Sequence, residues 1–178
     1  MTNISDIVLI AHRGLFKGPS KELENNPDNI IFNIKNFPKI INEIDINILK
    51  NGIYTGHDHP QYEIDIDFIL ENVNHLILHI KKIEYNSSFA LEALCKLYKF
   101  CHCFSHEEDC FTITNKGFIW SHPRMGFRRN TIFVMPEKVI PLSSDEFINN
   151  LNLLKGVCTN FPLEILQILN KDHIDFSI

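Results

Sequence analysis

Short apolar runs rich in Ile and Val, spaced by amphipathic segments of helical length, constrain this chain more than any other feature. Ile7–Ala11, Ile41–Ile46, Leu76–Lys81, Cys101–Ser105, Thr131–Met135 and Gly156–Thr159 read as strands. Helical patterns cover Pro27–Lys35, Phe68–Val73, Ser87–Lys99, Ser144–Leu151 and Pro162–Leu169. Pro27 suits a first helical turn, and Ser87 is placed to cap a helix whose Leu91, Leu94 and Leu97 recur at helical spacing. Asn51-Gly52 within Leu49–His57 signals a hairpin, as does Asn115-Lys116-Gly117 between Phe111–Thr114 and Phe118–Trp120. Strands alternating with helices indicate α/β architecture with a mainly parallel sheet of six or seven core strands. An open doubly wound sheet and a small barrel both satisfy that pattern. A (β/α)8 barrel normally takes about 200 residues or more. A chain of 178 residues would need missing or shortened helices to form one.

The chain fits one domain over residues 1–178, with no repeat, linker or low-complexity tract. A hydrophobic fraction of 44% and a charged fraction of 22% exclude a disordered chain. No run approaches the ~18 apolar residues of a membrane helix. The net charge is −5, which disfavours nucleic acid and anionic membrane surfaces as partners. The first ten residues lack a basic n-region, and the five cysteines lack a disulfide-framework spacing, so a reducing cytoplasm is the expected compartment.

Side chains alternate along a strand, so residues i and i+2 share a face. Glu43 and Asp45 therefore share one face of their strand, and Ile44 and Ile46 the other. Paired carboxylates in an apolar segment are costly unless compensated, and a divalent cation such as Mg²⁺ or Ca²⁺ compensates them. A strand with one solvated face gives the same alternation. Leu76–Lys81 repeats the pattern, with Ile77, His79 and Lys81 on one face. In the first strand apolar Val8 and Ile10 give way to His12 and Arg13. These polar groups gather toward the C-terminal ends of the strands, where α/β folds bind ligands. Gly56-His57-Asp58-His59-Pro60 adds a further histidine. Two histidines flanking a scissile bond provide general acid–base catalysis, and arginine offers a planar fork for phosphate oxygens.

Taken in order, these pieces resemble the glycerophosphodiester phosphodiesterase family, among the phospholipase-C-like phosphodiesterase barrels. Ala11-His12-Arg13-Gly14 is similar to its first-strand HRG motif, and Glu24-Asn25-Asn26-Pro27 to its ENT segment. Glu43-Ile44-Asp45 is similar to ExD, Gly56-His57-Asp58 to HD, and Gly156-Val157-Cys158-Thr159-Asn160-Phe161-Pro162 to the closing GxxTDxP. The likeness is dense over residues 8–60 and sparse between 85 and 150. Gly18-Pro19 and the extension of the HD segment to Gln61-Tyr62 resemble a compact subgroup.

The resemblance implies a small (β/α)8-like TIM barrel with shortened or missing helices. It implies a metal-dependent phosphodiesterase acting on a small glycerol-, sugar- or polyol-phosphodiester. Carried over, His12 and His57 are the acid–base pair, Arg13 contacts the phosphate, and Glu43 and Asp45 bind the metal. Glu24 lies by metal and phosphate, with Lys81 and His106 on the substrate side. Two positions depart from the pattern. His79 stands where the family carries a metal-binding Glu and, as a neutral imidazole, is taken as the third metal ligand at the cost of one negative charge; Asn160 stands where Asp is usual. A non-catalytic phosphate-ligand binding protein and a phospholipase-type lyase are the rival readings. Two retained histidines argue against the first, and the lack of a clear hydrophobic rim against the second.

Other signals have blander explanations. Cys101-His102-Cys103 with His106 and Cys110 lacks the turn-borne spacing of zinc sites, so free or structural thiols suit it better. His106 and Asp109 are better read as lining the mouth of the site. The basic cluster Arg124–Arg129 reads as a solvated loop, Trp120 as packing, and Glu137 as a polar group at another strand end.

Overall fold

The computed structural model describes residues 7–107 and 109–171. Ten strands form one mixed sheet: β1 Val8–Ala11, β2 Ile41–Leu49, β3 Gly52–Thr55, β4 Tyr62–Glu63, β5 Leu76–Ile83, β6 His102–Phe104, β7 Phe111–Ile113, β8 Ile119–Ser121, β9 Thr131–Val134 and β10 Gly156–Thr159. The described residues also form α1 Pro27–Asn36, α2 Ile66–Glu71, α3 Ser88–Phe100, α4 Asp145–Asn150 and α5 Pro162–Lys171. Among them no helix is long and apolar enough to cross a membrane.

Local chemistry explains the element boundaries. The Asn26 side chain accepts from the N–H groups of Asp28 and Asn29 and caps α1, with Pro27 in its first turn. Ser87 and Ser144 cap α3 and α4 in the same way. The second helix starts at Ile66 rather than Phe68 because Asp65 accepts from the Asp67 N–H and caps it there. β2 outlasts the expected Ile46 by three residues. Its buried Asn47 is satisfied by donating to the Gly56 carbonyl at 2.7 Å, and Ile48 is fully buried.

The parallel strands run in the order β6-β5-β2-β1-β10-β9-β8. β7 adds antiparallel to β8, and the β3–β4 hairpin adds antiparallel to the second half of β2. This corrects the expectation of a (β/α)8-like TIM barrel. The sheet is an open, curled half-barrel: among the described residues β6 pairs only with β5, and β7 only with β8. The physical reason lies in how the connections are used. A (β/α)8 barrel needs a helix after each strand. Here the segment from β6 to β9 makes the β7–β8 hairpin and a 3-10 turn at Pro123–Met125, and the segment after β2 makes β3 and β4 before α2. The two ends of the ladder meet at the β7–β8 turn, where the Asn115 N–H donates to the Cys103 carbonyl at 2.9 Å. The Phe104 and Trp120 rings lie 4.5 Å apart, and the Asn115 side chain accepts from the Cys103 N–H and donates to the Cys101 carbonyl.

Three apolar layers follow from strand alternation. α1, α2 and α3 cover one outer part, where Ile44, Ile46, Leu78 and Leu97 are buried. α4 and α5 cover the other, around Leu9, Phe133, Phe147 and Val157. The concave side is filled at its base by Ile10, Ile77, Phe104, Trp120, Ile132 and Cys158. Above that base, the inward positions of β2 and β5 become polar.

Candidate active site

The C-terminal end of β1 passes directly into a 3-10 turn, His12–Gly14. Arg13 there adopts the left-handed region at φ 53°, and Gly14 follows at φ 71°. The Gly14 carbonyl is pinned from α1 by the Asn29 and Asn33 side-chain amides at 2.8 and 2.7 Å. This turn presents the Arg13 N–H to Glu43 Oε2 at 2.9 Å. The Arg13 guanidinium is held between carboxylates, with Nη1 2.9 Å from Glu24 Oε2 and Nε 3.3 Å from Asp45 Oδ2.

β2 supplies Glu43 and Asp45, and β5 supplies His79 in register with Asp45. All three are buried, and one ligand atom from each lies within 4.8 Å of the others. Among the described residues this is the one His, Cys, Asp and Glu group with metal-like geometry. Asn25, itself left-handed at φ 57°, grips Asp45 twice. Its Nδ2 donates to Asp45 Oδ2 at 2.9 Å, and its Oδ1 accepts from the Asp45 N–H at 2.8 Å. The other oxygen, Oδ1, is buried without a hydrogen bond, although His79 Nδ1 is only 3.0 Å away. Two carboxylates and an imidazole are a donor set that fits a divalent cation.

The charges agree with this arrangement. Burial, followed by the Asp45 carboxylate, pushes the Glu43 carboxyl well above its usual range. Burial opposes ionisation of Asp45 too, but His79 and Arg13 outweigh it and hold Asp45 below the usual carboxylate range.

A cavity of ≈ 130 Å³ opens onto this group. His12, Arg13, Glu43, Asp45 and His79 line it, as do His57, Lys81, His106 and Asp109. Glu24 is not among the lining residues; it stands behind Arg13, paired also with Lys21 at 2.9 Å. Glu137 is likewise outside the lining. It accepts from the Thr159 hydroxyl and from the Asn160 N–H, both at 2.9 Å. Cys101 and Cys103 are buried thiols, pushed up by burial to about 11 and about 12, and thiolate ligation is unfavourable there.

The two histidines reach the cavity from separate loops. His12 Nδ1 lies 2.9 Å from Asn160 Oδ1. An amide oxygen only accepts, so the His12 proton sits on Nδ1 and Nε2 carries the lone pair. Burial, followed by the Arg13 charge, lowers His12 to about 4. His57 follows Gly56, which sits at φ 139° and has no room for a Cβ against the His59 carbonyl. His57 Nδ1 lies 2.7 Å from Asp58 Oδ1. His57 lowers the pKa of Asp58 and so keeps it ionised.

The low His12 value makes a stability prediction. As pH falls from about 6.5 to about 4, the unfolded chain binds this proton before the folded one does. Folding of the metal-free protein should lose up to about 3 kcal/mol over that window. His12→Asn should remove that share of the loss. Urea midpoints at pH 7 and pH 4.5 would show it, and equal pH sensitivity in both proteins would contradict it.

Sequence reasoning missed the Glu137–Asn160–His12 relay and the Asn25 clamp. The only signal for either was the motif residues themselves. It also left Thr112 and His122, which line the cavity, unmentioned. In comparisons with known proteins, the chain matches no family model and no curated protein.

Proposed function

We propose that this protein is a phosphodiesterase that cleaves small phosphodiesters with the help of a divalent cation held by Glu43, Asp45 and His79. The observation that carries the reading is the convergence of His12 and His57, from separate loops, on one cavity walled by that buried group. Binding a phosphate does not require two proton-transfer groups. Charge balance supports the cation. Arg13 is already engaged by Asp45 and Glu24, so an entering phosphate would otherwise face two carboxylates. A bound dication would neutralise the two carboxylates and act as a Lewis acid on the phosphoryl oxygens.

The chain's own residues then divide the work. Lys81, on the same strand as His79, lines the cavity and offers an ammonium to a phosphate oxygen. Asn160 keeps the His12 proton on Nδ1, so Nε2 takes the proton of the attacking hydroxyl, either of water or of the substrate itself. Asp58 orients His57 by accepting from its Nδ1–H and offsets the charge of the imidazolium form, whose Nε2–H protonates the departing alkoxide.

The test is turnover of bis(p-nitrophenyl) phosphate and glycerophosphocholine by the full chain, with and without EDTA and with added divalent ions. Turnover abolished by EDTA and restored by a dication is expected. Phosphodiester binding without cleavage under any ion would replace this reading with that of a binding protein.

A further inference from the structure

The His79 ring sets one nitrogen, Nδ1, beside the two carboxylates. Its Nε2 lies 3.4 Å from the His106 backbone carbonyl, an acceptor for an Nε2 proton. Nδ1 lies 3.0 Å from Asp45 Oδ1 and 3.8 Å from Glu43 Oε1, so with a cation bound its lone pair would face the same ion as the two carboxylates. The ring plane is fixed by two neighbours. Phe104 lies at 4.6 Å and 9°, and the His106 ring at 4.6 Å and 3°. A histidine whose second nitrogen donates to a backbone carbonyl, beside a carboxylate clamped by an amide, has the outer-shell support of a metal ligand.

We infer that this site selects a borderline transition ion of the Mn²⁺, Co²⁺ or Zn²⁺ type over Mg²⁺ and Ca²⁺. The inference rests on the reading of the cavity as a cation-assisted site and names the class of that cation. Mg²⁺ and Ca²⁺ are hard ions that prefer an all-oxygen shell, and Ca²⁺ wants six to eight oxygens. Here one of the three side chains offers nitrogen, which suits transition ions. The replaced ligand also matters electrostatically: two carboxylates and a neutral imidazole carry −2, and Arg13 offsets part of that at Asp45. Hard ions, bound mostly by charge, lose more from this than ions that also gain from an imidazole bond.

The experiment is ion binding to the metal-stripped full chain, measured by calorimetry with Co²⁺, Mn²⁺, Zn²⁺, Mg²⁺ and Ca²⁺. Wild type should bind Co²⁺ at least about 100-fold more tightly than Mg²⁺. His79→Glu should narrow that ratio by about tenfold or more, by strengthening Mg²⁺ and weakening Co²⁺. His79→Gln, a neutral substitution, serves if the glutamate variant does not fold, and should weaken Co²⁺ without strengthening Mg²⁺. A ratio unchanged in the variants, or Mg²⁺ bound as tightly as Co²⁺ by wild type, would overturn the inference and leave cation-assisted cleavage standing. Phosphodiester turnover that persists in EDTA with no ion bound would remove the cation from both.

Discussion

His12→Ala is expected to lower turnover of bis(p-nitrophenyl) phosphate by about 10²–10⁴-fold, the range for removing a positioned proton-transfer group. The fold should persist, because the ring is only half-buried and its partner is held independently. The Asn160 N–H is fixed by Glu137 whether or not the imidazole is present. Ion binding should also persist, since His12 is no part of the Glu43, Asp45 and His79 group. That combination separates loss of a base from loss of a cation. The Asn160 amide contributes too. A neutral acceptor fixes the tautomer without adding negative charge, which leaves burial and Arg13 free to keep His12 low, at about 4. The ring is therefore neutral across the physiological range, with the Nε2 lone pair unprotonated. A variant with unchanged kcat would remove His12 from the mechanism.

The strand pattern was legible because buried strands announce themselves by Ile and Val runs and by polar interruptions at i and i+2. Gly156–Thr159 forms over the expected residues, and the polar positions at 43, 45 and 79 do face one cavity. Parallel pairing with register Asp45 to His79 converts two separate alternations into one cluster. What stayed hidden depends on contacts between distant residues. Asn25 is an unremarkable residue in a polar loop until the left-handed turn aims its amide at Asp45. Glu137 reads as a site residue by position at a strand end, yet its carboxylate turns onto Thr159 and Asn160 and acts on His12 at one remove. The barrel expectation failed for a related reason. Hairpin signals at Asn51-Gly52 and Asn115–Gly117 were visible, but whether a hairpin extends a sheet edge or replaces a crossover helix is decided by how the whole sheet curls.

The largest effect on cation binding is expected from Asp45→Asn, a loss of affinity of more than about 100-fold, beyond what removal of an outer-shell partner causes. The argument turns on donors. In the native site Oδ2 receives the Asn25 Nδ2 donor and faces Arg13 Nε, while Oδ1, 3.0 Å from His79 Nδ1, is the oxygen proposed to meet the cation. An amide at this position has one oxygen and one NH₂. If its oxygen stays with Asn25, the NH₂ points at the place of the cation and repels it. If its oxygen turns to the cation, the NH₂ meets the Asn25 and Arg13 donors. Neither orientation satisfies both sides, and the charge that offsets Arg13 is gone in either case. Arg13 keeps Glu24 at 2.9 Å, so the chain should still fold, with a modest fall in Tm. Asn25→Ala should weaken the same ion by about 10–100-fold, because Asp45 keeps its charge and loses only its clamp. Calorimetric titration of both variants with Co²⁺ gives the order directly. Wild-type affinity in Asp45→Asn would mean that the cation is held elsewhere, and the buried carboxylates would then need another explanation.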